Sequence, residues 1–434
     1  MNEILLAERQ EGWNLYRLGQ VLEERKQKAS DKDYEALSVT MQGIVPQLET
    51  AAKTDDGDNR KLVRKGDYVI NSRSDRKGSG GISPLDGTVS LISIVLQPRK
   101  DLYPAFAHHL LRSVAFQEEF YRVGHGIVAD LWTTRYAEMK NIRFYLPDLP
   151  TQKRIAAFLD RETARIDELI AKKERLGGLI DQRRLAVITA AVTGKIGPAS
   201  ETPTKSDATE NQVRLRFMLQ VAPSAGEVEN LSADDEVTFA PMDALGDGLG
   251  GLDVSGSRPL AEVAAGSYNY FRDGDILLAK VTPCFENGKK ALAHDLINGV
   301  GFATSEVHVF RPKPGKLDHR FLMYLFSSED FRADGMKSMT GAGGLKRVSD
   351  AAILNYRPHV TDVALQQKVA DFLDLEMEVF EVIKERTKES IDRLREYRAA
   401  LITAAVTGQI DVDTYGRTGT TSATLDQIEE EMQA

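Results

Sequence analysis

Arg60, Lys61, Arg64, Lys65, Arg73, Arg76 and Lys77 crowd into one short stretch that carries only Asp67 and Asp75 as counter-charges. Such a run can grip a polyanion, or it can be an ordinary solvated face; at this level both readings stand. The net charge of -9 does not decide between them, because the acidic C-terminal DQIEEEMQA offsets basic charge elsewhere. Catalytic chemistry has no comparable signature. The chain carries no Gly-x-x-x-x-Gly-Lys-Ser/Thr loop for phosphates and no His-Glu-x-x-His for zinc. Its seven histidines are scattered, and His108-His109 lacks a metal-partner set, which points to a structural or surface role. GSGGIS (78–83) and GDGLGG (246–251) do not fit a strand-to-helix dinucleotide fingerprint. No methyltransferase or nuclease motif is visible, and Cys284 in TPCFENG, with no base nearby, reads as an inert thiol. The expectation is a binding protein, not an enzyme.

The elements that must position these charges are set by an internal repeat. ITAAVTGKI (188–196) returns as ITAAVTGQI (402–410), and the match runs upstream without a gap at an offset of 214. Gln152, Ala156, Phe158, Leu159, Asp160 and Glu162 recur as Gln366, Ala370, Phe372, Leu373, Asp374 and Glu376, giving 16 identities over the 45 positions 152–196. A period this long is that of a whole domain plus a long helix, far beyond a solenoid repeat. The chain reads as a duplicated half-molecule whose function uses two similar sites.

Punctuation by turn residues divides it. Residues 1–149 form a mixed domain with β-like runs at 68–70 and 89–96 and one helix near Phe106 to Tyr121. A long helix follows over 150–197, then a polar linker, PASETPTKSDATE, over 198–210. Residues 211–361 repeat the mixed pattern, with a helix near Phe321 to Phe331; 362–411 repeat the long helix, and 412–434 make a polar, frayed tail. RKGDYVIN (64–71) echoes RDGDILLA (272–279), and a glycine-containing loop precedes the end of each domain: GHGIVADLWTTR (124–135) and TGAGGLKRVS (340–349). One cysteine excludes a disulfide framework. No apolar run approaches the ~20 residues needed to span a bilayer, and MNEILLAERQEGW lacks a signal-peptide layout. The expected location is the cytoplasm.

In the long helices, Ile155, Leu159, Glu162, Ile166, Leu169, Lys173, Leu176, Ile180, Arg183 and Val187 alternate spacings of four and three. Val369, Leu373, Glu376, Phe380, Ile383, Thr387, Ser390, Leu394, Tyr397 and Leu401 hold the same register. A sustained 3.5-residue period marks a coiled-coil seam. Two copies in one chain can bury both seams against each other as an antiparallel pair about a pseudo-twofold axis, a rod of roughly 60 Å. The fold class expected is α+β: two mixed domains joined by two long helices in an antiparallel coiled coil. The seam satisfies itself, so the ends at Ile188–Thr193 and Ile402–Thr407 are expected to be free for partners. Gly177-Gly178 interrupts the first helix, where a kink or close contact would account for it.

QKRIAAFLD (152–160), QQKVADFLD (366–374) and the paired ITAAVTG endings resemble the specificity (S) subunit of type I restriction-modification systems, over about residues 13–411. GFATSEVHVFRP (301–312) also looks like a strand segment of that family's target recognition domains. The second copy has Asp362-Val363-Ala364 where the first has Leu149-Pro150, which implies a different N-cap. The resemblance implies that each mixed domain reads one half of a bipartite, asymmetric DNA target while the helices set the gap. It implies two methyltransferase (M) subunits and restriction (R) subunits as partners. No cofactor would sit on this chain; S-adenosylmethionine, ATP and Mg would belong to those partners. A DNA reader needs cations for phosphates and amide or forked side chains for base edges. The first domain then offers the Arg60–Lys77 cations with Asn71 and Ser72, and Trp132, Thr133 and Arg135 from the loop. The second offers Lys280, Thr282, Asn287, Lys289, Lys290, Lys346 and Arg347. A coiled-coil scaffold that joins two proteins without reading DNA is the competing interpretation.

Overall fold

The computed structural model describes residues 11–49, 57–73, 76–126, 132–201, 213–221, 223, 225–247, 249, 251–341, 345–360 and 362–415. The chain forms two compact units, of which only the second is a single run. One comprises residues up to Glu174 together with those from Lys388 onward; the other runs from Arg175 to Thr387. Each holds one mixed domain and a portion of both long helices, so the units cut across the boundaries that composition suggests.

In the first unit, strands Leu22–Glu24, Ser93–Pro98, Tyr68–Asn71 and Gly80–Ile82 lie side by side in that order, all antiparallel. Tyr68–Asn71 is buried along its whole length, as expected for an apolar central strand. A second sheet, Lys28–Ala29, Arg60–Val63 and Gly87–Val89, covers it with the hairpin Leu37–Thr40/Gly43–Pro46. In the second unit the order Leu219–Val221, Val307–Pro312, Ile276–Ala279 and Lys290–Leu292 repeats the first sheet strand for strand. A four-stranded partner sheet contains one parallel pair, Glu236–Ala240 with Val300–Ala303.

The helix expected near Phe106 to Tyr121 is two helices, Pro104–Arg112 and Val114–Arg122. Ser113 divides them: it leaves the helical conformation, and its hydroxyl accepts from the Phe116 amide. Ser328 does the same between His319–Ser327 and Glu329–Ser338, accepting from Phe331 N. A serine that satisfies an orphan amide is worth more as a cap than as an interior residue.

The long helices are Leu149–Val192 and Val363–Val406. Their starts differ in sequence and not in capping. Asp148 accepts from Thr151 N and Asp362 from Leu365 N, both at 2.9 Å. Ion pairs fix the direction of packing inside each unit. In the first, Asp167–Arg398 and Glu174–Arg395 pair a rising number with a falling one; in the second, Asp181–Lys384 and Arg184–Glu381 keep that order, as an antiparallel pair must. Ile155, Leu159, Ile166, Leu169, Leu394 and Leu401 are buried in the first unit. Ile180, Val187, Val369 and Leu373 are buried in the second, with Phe380 partly covered. Leu176 and Ile383 depart from the expected seam, each 41% exposed. Leu176 adjoins the glycine pair, where a Cβ added at Gly177 or Gly178 would touch nothing within 4 Å. The helix runs through those glycines unbroken, with no packing neighbour to account for them.

The ITAAVTG endings are not free. Ile402, Ala405 and Val406 lie in the core of the first unit; Ile188, Ala191 and Val192 lie in that of the second. The apolar residues of each ending therefore complete a mixed domain's core instead of facing outward. The C-terminal segment is docked as far as Tyr415, whose ring meets Phe158 edge-on at 4.8 Å, while Arg154 pairs with Asp413. Of the expected linker, Pro198–Glu201 is a helical turn and 202–210 lie outside the described residues, as do 416–434 of the tail.

Candidate nucleic-acid interface

Gln152 and Gln366, the first residues of the repeated motif, bind each mixed domain to its helix. The Gln152 amide oxygen accepts from Tyr103 N at 2.8 Å while its nitrogen donates to Asp101 O and Pro147 O. Gln366 accepts from Asp318 N at 2.9 Å and donates to Val360 O and Lys316 O. The motif's aspartates reach the first domain helix: Asp160 meets His109 Nε2 at 2.7 Å, and Asp374 accepts from Tyr324 and Arg320, both at 2.6 Å. His109 is buried, and burial holds its imidazole below the usual value although Asp160 pulls the other way. It is a structural histidine.

On this frame both glycine-containing loops close against the end of a central strand. In the first unit His125 and Thr133 exchange backbone hydrogen bonds at 3.0 and 2.9 Å, Thr133 bridges to Arg73, and Thr134 N donates to Ser72 O. A Cβ on Gly124 would come within 2.6 Å of both Thr134 Oγ1 and Trp132 Nε1, so the closure requires glycine. In the second unit Thr340 and Arg347 exchange the same pair of bonds, and Val281, Thr282 and Lys280 meet Arg347, Lys346 and Val348. Gly341, at φ +144, is a position that a side chain would occupy only under strain. Residues 74–75, 127–131 and 342–344 of these segments lie outside the described residues.

The loop thus brings Asn71, Ser72, Arg73, Arg76, Lys77, Trp132, Thr133 and Arg135 to one end of the first domain. A basin of about 620 Å³ opens beside them, lined by Asn71, Arg73, Arg76, Lys77, Arg60 and the hairpin residues Ser38 and Thr40. Arg73, Arg76, Lys77 and Arg135 are exposed; Lys77 stands 5.6 Å over the Tyr121 ring, and Trp132 is pinned by Nε1 to Tyr121 O at 2.7 Å. Among the described residues, neither Arg73 nor Arg135 has a carboxylate within ion-pair distance. Arg60 lies at the floor, 5% exposed, donating to Thr88. Lys61 turns the other way, to Ser93 O and Glu24, and burial lowers its pKa. Arg64 pairs with Asp86, whose carboxylate also accepts from Lys65 N; these two residues belong to a different face.

The second domain gathers fewer charges. Lys280, Thr282, Lys346 and Arg347 come together, but Arg347 is held by both Glu306 oxygens at 2.7 and 2.9 Å, and Lys280 donates to Ser305 O. Asn287 is exposed on the neighbouring turn, and Lys289 leans on Met242 O and Leu245 O. Lys290 is fully buried. Lys290 opens the strand Lys290–Leu292 and faces inward, while Lys289 lies just before it, a distinction that composition alone misses. Sequence reasoning also passed over Tyr121 and His125, whose positions follow only from loop closure. No group of three His, Cys, Asp or Glu side chains able to hold a metal occurs among the described residues, and no described helix is long and apolar enough to cross a membrane.

No family model matches this sequence. Over 137 residues, 32% of this chain, it is 35% identical to the type I restriction enzyme EcoEI specificity subunit of Escherichia coli. Over 131 residues it is 34% identical to the EcoAI specificity subunit of the same organism. These matches span 23% and 22% of the relatives' own lengths, under a quarter of each. Similarity of fold is far more extensive. A chain solved in work on complex assembly and conformational transition of the type I R-M system aligns over 93% of this chain and all of its own length, with a TM-score of 0.67 at 17% identity. The HsdS subunit of Thermoanaerobacter tengcongensis aligns over 93% and 99%, with a TM-score of 0.52. The chain is therefore similar in sequence and in fold to the specificity subunits of type I restriction-modification systems.

Proposed function

We propose that this chain is the non-catalytic, sequence-specific DNA-recognition subunit of a type I restriction-modification complex. Each mixed domain reads one half of a bipartite, asymmetric target, and the two long helices set the gap between halves. The observation that carries this reading is the duplicated loop closure: in both units a glycine-containing loop is stitched to the end of the equivalent strand, with exposed cations and an asparagine beside it. Phosphate contacts would come from Arg73, Arg76, Lys77 and Arg135 in one domain and from Lys280 and Lys346 in the other. Base-edge contacts would come from Asn71, Thr133, Asn287 and Thr282, on rigid backbone supports. The unequal neutralisation of the two sites fits an asymmetric target, since two domains with different polar groups read different half-sites.

In this assignment two methyltransferase subunits and the restriction subunits are the protein partners. They bring S-adenosylmethionine, ATP and Mg, while this chain binds no cofactor; the location is cytoplasmic. Since the ITAAVTG endings are spent on the cores, docking falls to the exposed outer faces of the long helices. The test is domain exchange. Replacing residues 211–361 by the equivalent domain of a relative and reading methylated sites in the cell should change one half of the target and leave the other intact. Loss of both halves, or of neither, would contradict the assignment.

A further inference from the structure

In the second unit a cavity of about 410 Å³ lies where the first long helix meets the mixed domain, and three cations converge on it: Arg184, Lys290 and Arg332. Lys290 is wholly buried, and its ammonium donates to Gly288 O at 3.4 Å. Arg332 spends Nη2 on the Glu286 carbonyl, and its buried Nε has no hydrogen-bond partner among the described residues. Arg184 is paired with Glu381 at the rim, Asp181 is engaged by Lys384, and the carboxylate that remains in the lining is that of the exposed Asp247. Burial, then Arg332 and Arg184, pulls the Lys290 pKa down to about 7. Cations packed together against carbonyl oxygens are costly unless an anion offsets them.

The first unit has a cavity of about 300 Å³ at the equivalent place. Arg398 and Ile402 line it, counterparts of Arg184 and Ile188 in the other copy of the repeat. Arg398 is held by Asp167 as Arg184 is by Glu381, again at equivalent positions. The domain supplies Arg112, whose pKa burial lowers, and it meets His108 Nε2 at 3.2 Å. Arg112 is the domain's cation there, and the carboxylates of Asp160 and Asp167 line the same cavity, so its two guanidiniums are already balanced.

We propose that the cavity of the second unit is a phosphate-binding site, seating a phosphoryl group between the long-helix Arg184 and the domain cations Arg332 and Lys290. Donors in the second unit converge from a strand, a domain helix and the long helix, which suits the several oxygens of a tetrahedral oxyanion better than the two of a carboxylate. The inference does not rest on DNA reading and is tested on the full-length chain alone. Thermal unfolding is followed at constant ionic strength in inorganic phosphate, pyrophosphate or ATP, with acetate as control. Phosphate-class ligands should raise the Tm in a saturable manner. The shift should shrink in Arg332→Gln or Lys290→Met, and vanish when the two are combined, with circular dichroism unchanged. A duplex that abolishes the phosphate shift identifies the DNA backbone as the source; a shift that persists beside bound duplex identifies a free phosphate compound. Equal stabilisation by acetate, no shift at all, or a full shift in the Arg332→Gln, Lys290→Met double variant would overturn the proposal.

Discussion

Replacing Arg73, Arg76 and Lys77 together by alanine probes the proposed DNA surface where its geometry is best defined. All three are exposed at the mouth of the same basin, and Lys77 rests over Tyr121 without being buried by it. Their loss removes no core contact, so the fold should persist. If each neutralises one phosphate, the slope of log K against log salt should flatten by about 0.9 per residue, or about 2.7 for the triple variant. At about 0.1 M salt the same coefficient gives a loss of roughly 2.7 decades in affinity, an upper bound reached only if all three touch phosphate. Fluorescence anisotropy with a duplex carrying the target, titrated across a salt series, measures both quantities. A residue that reads a base adds a second signature: discrimination in one half-site falls by about 1–3 kcal/mol while the other is untouched. An unchanged slope and affinity would refute the placement and move the interface to another face of the domain.

Gln152→Leu should strand the Tyr103 amide and two carbonyls while leaving the matching Gln366 set intact. About three net hydrogen bonds at ~1 kcal/mol each predict hydrogen exchange near Tyr103 faster by roughly 100-fold, with exchange near Asp318 unchanged; equal acceleration in both units would show that the clamps are not local. His108 supplies a pH test. Burial, and then Arg112, lowers its pKa from 6.5 to about 3. A base depressed in the folded state contributes full stability above pH 6.5 and loses it as the pH falls toward 3, by up to about 1.4 kcal/mol per unit. Urea midpoints between pH 4 and 7 should therefore fall less steeply in His108→Gln than in the parent; parallel curves would exclude His108 as the source.

Much of the scaffold was legible because it is written twice. The constant offset picked out Gln152/Gln366, Asp160/Asp374 and the ITAAVTG endings, and the structure gives every one a job in joining helix to domain. The direction of the error is informative. Repetition at the endings suggested an outward partner surface, whereas Ile188 and Ile402 repeat because two similar cores need the same apolar plug. Ser113 and Ser328 were hidden for a different reason: a single cap residue breaks a helix without disturbing its apolar periodicity. At the site, the cations were visible as types and their roles were not. Arg60, Lys61 and Lys290 look like Arg73 and Lys77 in sequence, but tertiary packing sends the first three to a floor, a neighbouring carboxylate and a buried cavity.

The central claim, a bipartite reader whose gap is set by its helices, is tested most directly by lengthening both helices by one heptad. Insertion after Gly178 and after Thr387 places the additions opposite each other, three residues before Asp181 and three after Lys384, which pair across the helices at 2.9 Å. Seven residues at 1.5 Å each lengthen the pair by about 10 Å and keep the seam in register. Duplex DNA rises 3.4 Å per base pair on each strand, so the gap should grow by about three base pairs. Sequencing of methylated sites in cells that carry the altered chain with its partner subunits should show both half-sites unchanged and the longer gap between them. An active complex that still methylates the original spacing would contradict the account.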